Sequence, residues 1–176
     1  MVVLDSSVLL LVLDPNAKPP NDPATGRPLN KAAERIEYLI ENLAAAKEKI
    51  LIPTPVLSEV LVHAGDAMQP YLDTLNEQSV FRIVPFDQKA AIEAAIAMSD
   101  AIKRGGHRVD AAKPDANKTK IKFDRQIVAI AKAEGASVVY ADDDDVHRYA
   151  KQTGLKAYRT SELEIPPEDP QGSLDV

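Results

Sequence analysis

Apolar residues in this chain fall into short unbroken runs separated by longer stretches of helical period. Val2-Val3-Leu4, Ile50-Leu51-Ile52 and Val138-Val139-Tyr140 after Ser137 carry no polar break, as strands covered on both faces do. Phe81-Arg82-Ile83-Val84 reads as a further strand and Lys156 to Tyr158 as a short last one. Between them, Ala32, Ile36, Leu39, Ile40 and Leu43 recur at helical spacing and predict an amphipathic helix from Lys31 to about Lys47.

The remaining helices follow from their punctuation. One starts near Ser6 or Ser7 and stops before Asp14-Pro15; Thr54-Pro55 is a cap and first-turn pair for a helix through about His63. Another covers Gln69 to Gln78. Asp87 caps an alanine-rich helix from Lys89 to about Lys103. Ile121 to Glu134 closes at Gly135, and about Asp144 to Gln152 closes at Gly154.

Strands separated by helices of ten or more residues require crossover connections. The expected fold class is therefore α/β, a three-layer sandwich whose central parallel sheet of about 4–5 strands is flanked by helices. A single domain should span residues 1–160. Residues 14–30 hold five of the thirteen prolines and form an irregular insertion, Arg104 to Lys120 reads as an exposed loop, and residues 161–176 form an acidic, proline-containing tail.

At 176 residues the chain buries roughly 70% of its extended surface in one core. Having no cysteine, it can build neither disulfides nor a thiolate zinc site. The apolar start lacks a basic leader, contains Asp5 and stops at Asp14-Pro15, so a cytoplasmic protein with no membrane segment is expected. A net charge of -6 argues against coating nucleic acid through charge alone, but not against a nuclease whose metal supplies the positive charge.

The candidate chemistry lies in carboxylates at positions where burial is expected. Asp5 follows the first strand and the run Asp142-Asp143-Asp144-Asp145 follows the fourth, both at carboxyl ends, where parallel sheets bind ligands. Glu59 interrupts the apolar run Val56 to Val62. Asp124 shares its helical stripe with Ile127, Val128 and Ala131. Each has a plain structural reading as well: Asp5 as a helix cap, Glu59 on one wet face, Asp124 in a first turn favoured by the helix dipole, and the aspartate run as a solvated turn. Together they predict a pocket in which a divalent cation offsets the crowding of charge.

VVLDSSVLL at the start, PTPVLSEVL at 53–61, KFDRQIVAIAKAEGA at 122–136 and VVYADDDDVHRYAKQTGL at 138–155 resemble the acidic blocks of PIN-domain nucleases, in order. The group most resembled is the VapC-type ribonuclease toxins, and the resemblance spans Met1 to Tyr158. It implies a PIN-like fold with Asp5, Glu59, Asp124 and Asp143 as catalytic carboxylates. Asp5, Asp124, Asp143 and Asp142 would be metal ligands, with Asp142 or Asp145 an auxiliary acid and Ser7 a supporting polar group. Ala141 departs from the serine or threonine that the family often has two residues before its last catalytic aspartate, which leaves the choice among Asp142, Asp143 and Asp145 open.

Oxygen-only ligands favour Mg2+ or Mn2+. The expected activity is metal-dependent hydrolysis of RNA phosphodiesters; two ions, if both bind, would sit ~3.5–4 Å apart. Arg104, Arg108, Lys113, Lys118, Lys120, Lys122 and Arg125 surround the segment before Asp124, and Lys120, Lys122 and Arg125 with Ser7 are candidate substrate contacts. His63, His107 and His147 receive no catalytic role. The resemblance further implies a cognate antitoxin and a homodimer, with Lys31 to Lys47 and Val56 to Gln78 as candidate dimer surfaces. Two rival readings are a non-catalytic PIN-like interaction module and an aspartate-nucleophile phosphotransferase, the latter weakened by Ser7 where a second aspartate is usual.

Overall fold

A computed structural model describes residues 1–103 and 118–167. Five strands form one parallel sheet in the order β3-β2-β1-β4-β5, with β1 Val2–Leu4, β2 Ile50–Pro53, β3 Phe81–Val84, β4 Val138–Tyr140 and β5 Lys156–Tyr158. β1 is central. Val3 pairs with Leu51 on one side and Val139 on the other, and all three side chains are fully buried, as an unbroken apolar run requires.

The helices are α1 Ser6–Leu13, α2 Ala32–Ala45, α3 Thr54–Ala64, α4 Met68–Glu77, α5 Gln88–Lys103, α6 Lys118–Ala133 and α7 Asp144–Gln152. α1 packs on α2 and α3, while α6 packs on α5 and α7. Crossovers from β1 out to β3, followed by a return past β1 to β4, put helices on both faces of the sheet if they take the usual right-handed sense. Ile36 of α2, Val56 and Val60 of α3, and Ile127, Ile130 and Ala131 of α6 supply the buried stripes.

The boundaries differ from the sequence expectation in two instructive places. α6 begins at Lys118 rather than Ile121, because Lys118-Thr119-Lys120 contains no helix breaker and continues the turn backwards. Pro53 extends β2 opposite Val84, and Thr54 is already helical. Its hydroxyl does not cap α3 but accepts from Phe86 N at 3.3 Å. Asp87 does cap α5, accepting from Ala90 N at 2.9 Å.

Residues 14–30 carry no helix or strand, only an isolated antiparallel bridge between Asn21 and Pro28. At the other end, Thr160–Glu162 forms a 3-10 turn, and Leu163 packs on the core with its carbonyl accepting from Arg35. Among the described residues, no helix is long and apolar enough to cross a membrane. Arg104, His107, Arg108 and Lys113 lie outside the described residues, as do most of the tail and the side chains of Lys118 and Lys120.

Candidate functional site

The sheet order reverses between β1 and β4, since the chain builds outward from β1 to β3 and then crosses back. At such a reversal the two flanking connections diverge and leave a crevice at the carboxyl ends. Asp5 follows β1 there and Asp142 to Asp145 follow β4.

Asp5 continues the ladder, its N–H donating to Tyr140 O at 2.9 Å, and its carbonyl accepts from Leu9 N to start α1. Its side chain makes no capping bond to that helix. The carboxylate, with the residue only 3% exposed, accepts instead from Ser7 Oγ at 3.1 Å. Burial pushes it from 3.8 up to about 6; the Ser6 N–H and Ser7 hydroxyl oppose the rise, and the nearby charges of Glu59 and Asp143 add to it. Glu59 itself is exposed on α3, at the rim of the crevice.

Asp124 is 8% exposed and lies in the second turn of α6, because that helix starts early. The helix dipole acts within the first turn, so it does not account for the position. Ile127, Val128 and Ala131 on the same stripe are all buried. Carboxylate oxygens of Asp124, Asp143 and Asp145 lie within 4.8 Å of one another. Three acids, one from α6 and two from the start of α7 on the far side of β4, form one cluster, with Asp5 close enough for the Asp143 charge to act on it.

The four consecutive aspartates take four different positions. Asp142 is turned away: its two carboxylate oxygens accept from Thr160 N at 2.9 Å and Thr160 Oγ1 at 2.6 Å. Asp143 is the N-cap of α7, accepting from Asp145 N and Val146 N through one oxygen. Asp144 points to solvent and pairs with Arg159 at 2.7 Å. Asp145 accepts from Arg148 at 2.6 Å. Arg159 also donates to Asp142 O at 2.9 Å, so the corner after β5 both braces and partly neutralises the run.

Of the residues singled out in the sequence, Asp124 and Asp143 meet directly, Asp5 lies just past the end of β1 within reach of the Asp143 charge, and Glu59 stands exposed on α3. Asp142, expected among the ligands, bonds to Thr160 through both carboxylate oxygens, while Asp145 lies in the cluster with Asp124 and Asp143. Ser7, expected as a supporting polar group, donates its hydroxyl to Asp5 at 3.1 Å. Lys122 is exposed on α6 and Arg125 half-buried. Thr160 and Arg159 carried no signal in the sequence, since nothing local marks a threonine eighteen residues downstream as the partner of Asp142.

A sequence profile of the PIN domain matches residues 2–152. The chain belongs to the PIN-domain family. Among solved structures, the PIN fold of this chain is similar to FitAB bound to an IR36 DNA fragment, with TM-score 0.59, 18% identity, and 93% of this chain and 98% of that chain covered. It is also similar to VapBC2 from Rickettsia felis bound to a DNA fragment from its promoter, with TM-score 0.58 and 17% identity over 90% of this chain and 98% of that one. DNA-bound VapBC from Salmonella typhimurium follows at TM-score 0.53 and 15% identity, covering 90% and 97%. At these identities the likeness is one of fold. No curated protein matches the sequence significantly.

The PIN-domain site fits a hard divalent cation. Its donors are all carboxylate oxygens, and a positive charge would relieve both the mutual repulsion of three aspartates and the cost of ionising buried Asp5.

Proposed function

We propose that this PIN domain is a Mg2+- or Mn2+-dependent endoribonuclease that hydrolyses RNA phosphodiester bonds, and that it acts as the toxin of a toxin–antitoxin pair. The observation that carries the reading is the convergence of Asp124, Asp143 and Asp145 carboxylates within 4.8 Å, beside Asp5, at the reversal point of the sheet. Asp124, Asp143 and Asp145 would hold the ion, with Asp5 completing the negative field below them.

When bound, the cation supplies Lewis-acid polarisation of the scissile phosphate and of the attacking water. The protein's part is positional. Asp143 is fixed by two backbone N–H bonds at the start of α7, so its second oxygen is held in a set direction. Ser7 holds Asp5, and Asp142 with Thr160 holds the loop that carries Asp143. Glu59, solvent-exposed at the mouth, orients water against the phosphate. Lys122 and Arg125 on α6 supply cations for the RNA backbone in the turns flanking Asp124.

Support for an antitoxin partner comes from the neighbours, which are VapBC and FitAB assemblies, and from the chemistry of an acidic crevice, which accepts an arginine through charge-assisted bonds. Support for a homodimer comes from exposed apolar side chains on α3 and α4, Val62 and Met68, within the surface expected from the sequence. A cytoplasmic location accords with such a partner.

The deciding experiment incubates the purified protein with total RNA in Mg2+, Mn2+ or EDTA, beside Asp124→Asn. Cleavage in the metal lanes alone, lost in the variant, is expected. Identical RNA profiles in every lane would overturn the nuclease reading in favour of a non-catalytic interaction module.

A further inference from the structure

Next to the acidic cluster lies a cavity of about 420 Å³ that the cluster itself does not use. It shares Ser7 and Asp142 with the candidate site, and from there it opens between two walls. One wall is the insertion after α1, contributing Asp14, Asn16 and Lys18. The other is the α3–α4 corner, contributing His63 and Tyr71. The insertion wall is built rather than loose: Asp14 Oδ1 accepts from Asn16 N at 2.8 Å, and Asp14 O accepts from Ala17 N at 3.0 Å, so this turn is fixed at the cavity's edge.

The α3 wall continues the site's own geometry. His63 lies four residues after Glu59, on the same side of the helix one turn on. Ser7, which bonds Asp5, lines the same cavity and ties it to the acidic site. What the cavity offers is a phenol ring half-buried in its side, an amide, an imidazole, the carboxylates of Asp14 and Asp142, and one ammonium group, that of exposed Lys18. Partial burial and then the Asp14 charge raise the Tyr71 phenol above its ordinary value.

A π-face with a cation beyond it, continuous with a phosphodiester-cleaving centre, suits an unpaired nucleotide. A paired helix would present no free base face to Tyr71. We infer that the cavity between the residue 14–20 turn and the α3–α4 corner is a subsite for one unpaired nucleotide of the RNA substrate adjacent to the scissile phosphate, its base on Tyr71 and its outer phosphate on Lys18. This rests on the ribonuclease reading above. It also gives the proline-rich insertion a role, as the wall that makes the centre prefer single-stranded substrate.

The test measures binding of a fluorescent single-stranded oligoribonucleotide to the full-length Asp124→Asn protein, with cleavage by the otherwise unaltered chain followed separately. Adding Tyr71→Ala is expected to weaken binding about tenfold, Tyr71→Phe to restore it, and Lys18→Ala to weaken it and flatten its salt dependence. Mn2+ titration of the same Tyr71 and Lys18 substitutions, made in the unaltered chain, should be unchanged, which separates a subsite effect from damage to the metal cluster. Equal oligonucleotide affinity with and without Tyr71→Ala and Lys18→Ala would overturn the subsite while leaving cleavage, and with it the nuclease reading, standing. Tight binding that depends on Tyr71, in a protein whose unaltered form cuts no RNA, would remove the nuclease reading and keep the subsite. Preference for a duplex over the single strand would overturn the subsite, and Lys18→Ala stands as the second variant should Tyr71→Ala fold poorly.

Discussion

Ser7 Oγ donates to Asp5 Oδ2 at 3.1 Å and accepts from Asp142 N at 3.3 Å, so one hydroxyl joins the loops after β1 and β4 across the point where the sheet order reverses. Ser7→Ala leaves a buried carboxylate and a backbone N–H without that partner. A loss of about 1–2 kcal/mol in urea unfolding is expected, with a fall in RNA cleavage. Ser7→Thr, which keeps the hydroxyl, should recover most of both.

Asp5 makes stability depend on pH. The unfolded carboxyl releases its proton near 3.8 and the folded one near about 6, so between these values the native state holds the proton more tightly. Stability contributed by this group is therefore present below pH 4 and lost as pH rises through 6, by roughly 3 kcal/mol in the absence of metal. Asp5→Asn should unfold at higher urea than the unaltered chain at pH 7.5, and the difference should vanish towards pH 4. A constant difference at every pH would contradict the assignment.

Because a cation offsets the same repulsion, it should stabilise the fold. At 100 times its dissociation constant, Mn2+ should add about 2.7 kcal/mol, seen as a rise in melting temperature that EDTA reverses. Asp124→Asn should show no such rise.

Asp142 and Asp145 should separate in a metal titration. Asp145→Asn removes a member of the cluster and should weaken Mn2+ binding at least tenfold, whereas Asp142→Asn chiefly disturbs its pairing with Thr160. Isothermal titration at a temperature where both variants are folded distinguishes them, and the reverse order of affinities would reassign the ligand.

Thr160→Val removes the hydroxyl at 2.6 Å from Asp142 while keeping the backbone N–H bond. A loss of about 1–2 kcal/mol is expected, with slower cleavage through a less firmly held Asp143. Thr160→Ser should restore both.

The layers and the order of elements were legible because each strand here is a short apolar run and each helix has its own stop, as at Gly135, where a φ of 70° and the Ala136 N bond back to Ala131 O close α6. Asp124 was legible for the same reason: a carboxylate on the stripe of Ile127 and Val128 has to be buried. The assignment within the aspartate run was not. Four identical side chains in sequence differ only in what meets them, and those partners, Thr160, Arg159 and Arg148, come from other turns of the chain. The cavity wall at residues 14–20 was equally hidden, since an irregular segment gives no period from which to read its neighbours.

The central position of β1 has a consequence for biosynthesis. β1 needs β4, some 135 residues later, to complete its hydrogen bonding, and the acidic cluster beside Asp5 comes from residues 124 to 145. A polypeptide made only as far as α5 thus carries Asp5 without that cluster, and the acidic pocket is assembled only once β4 and the start of α7 have joined the sheet.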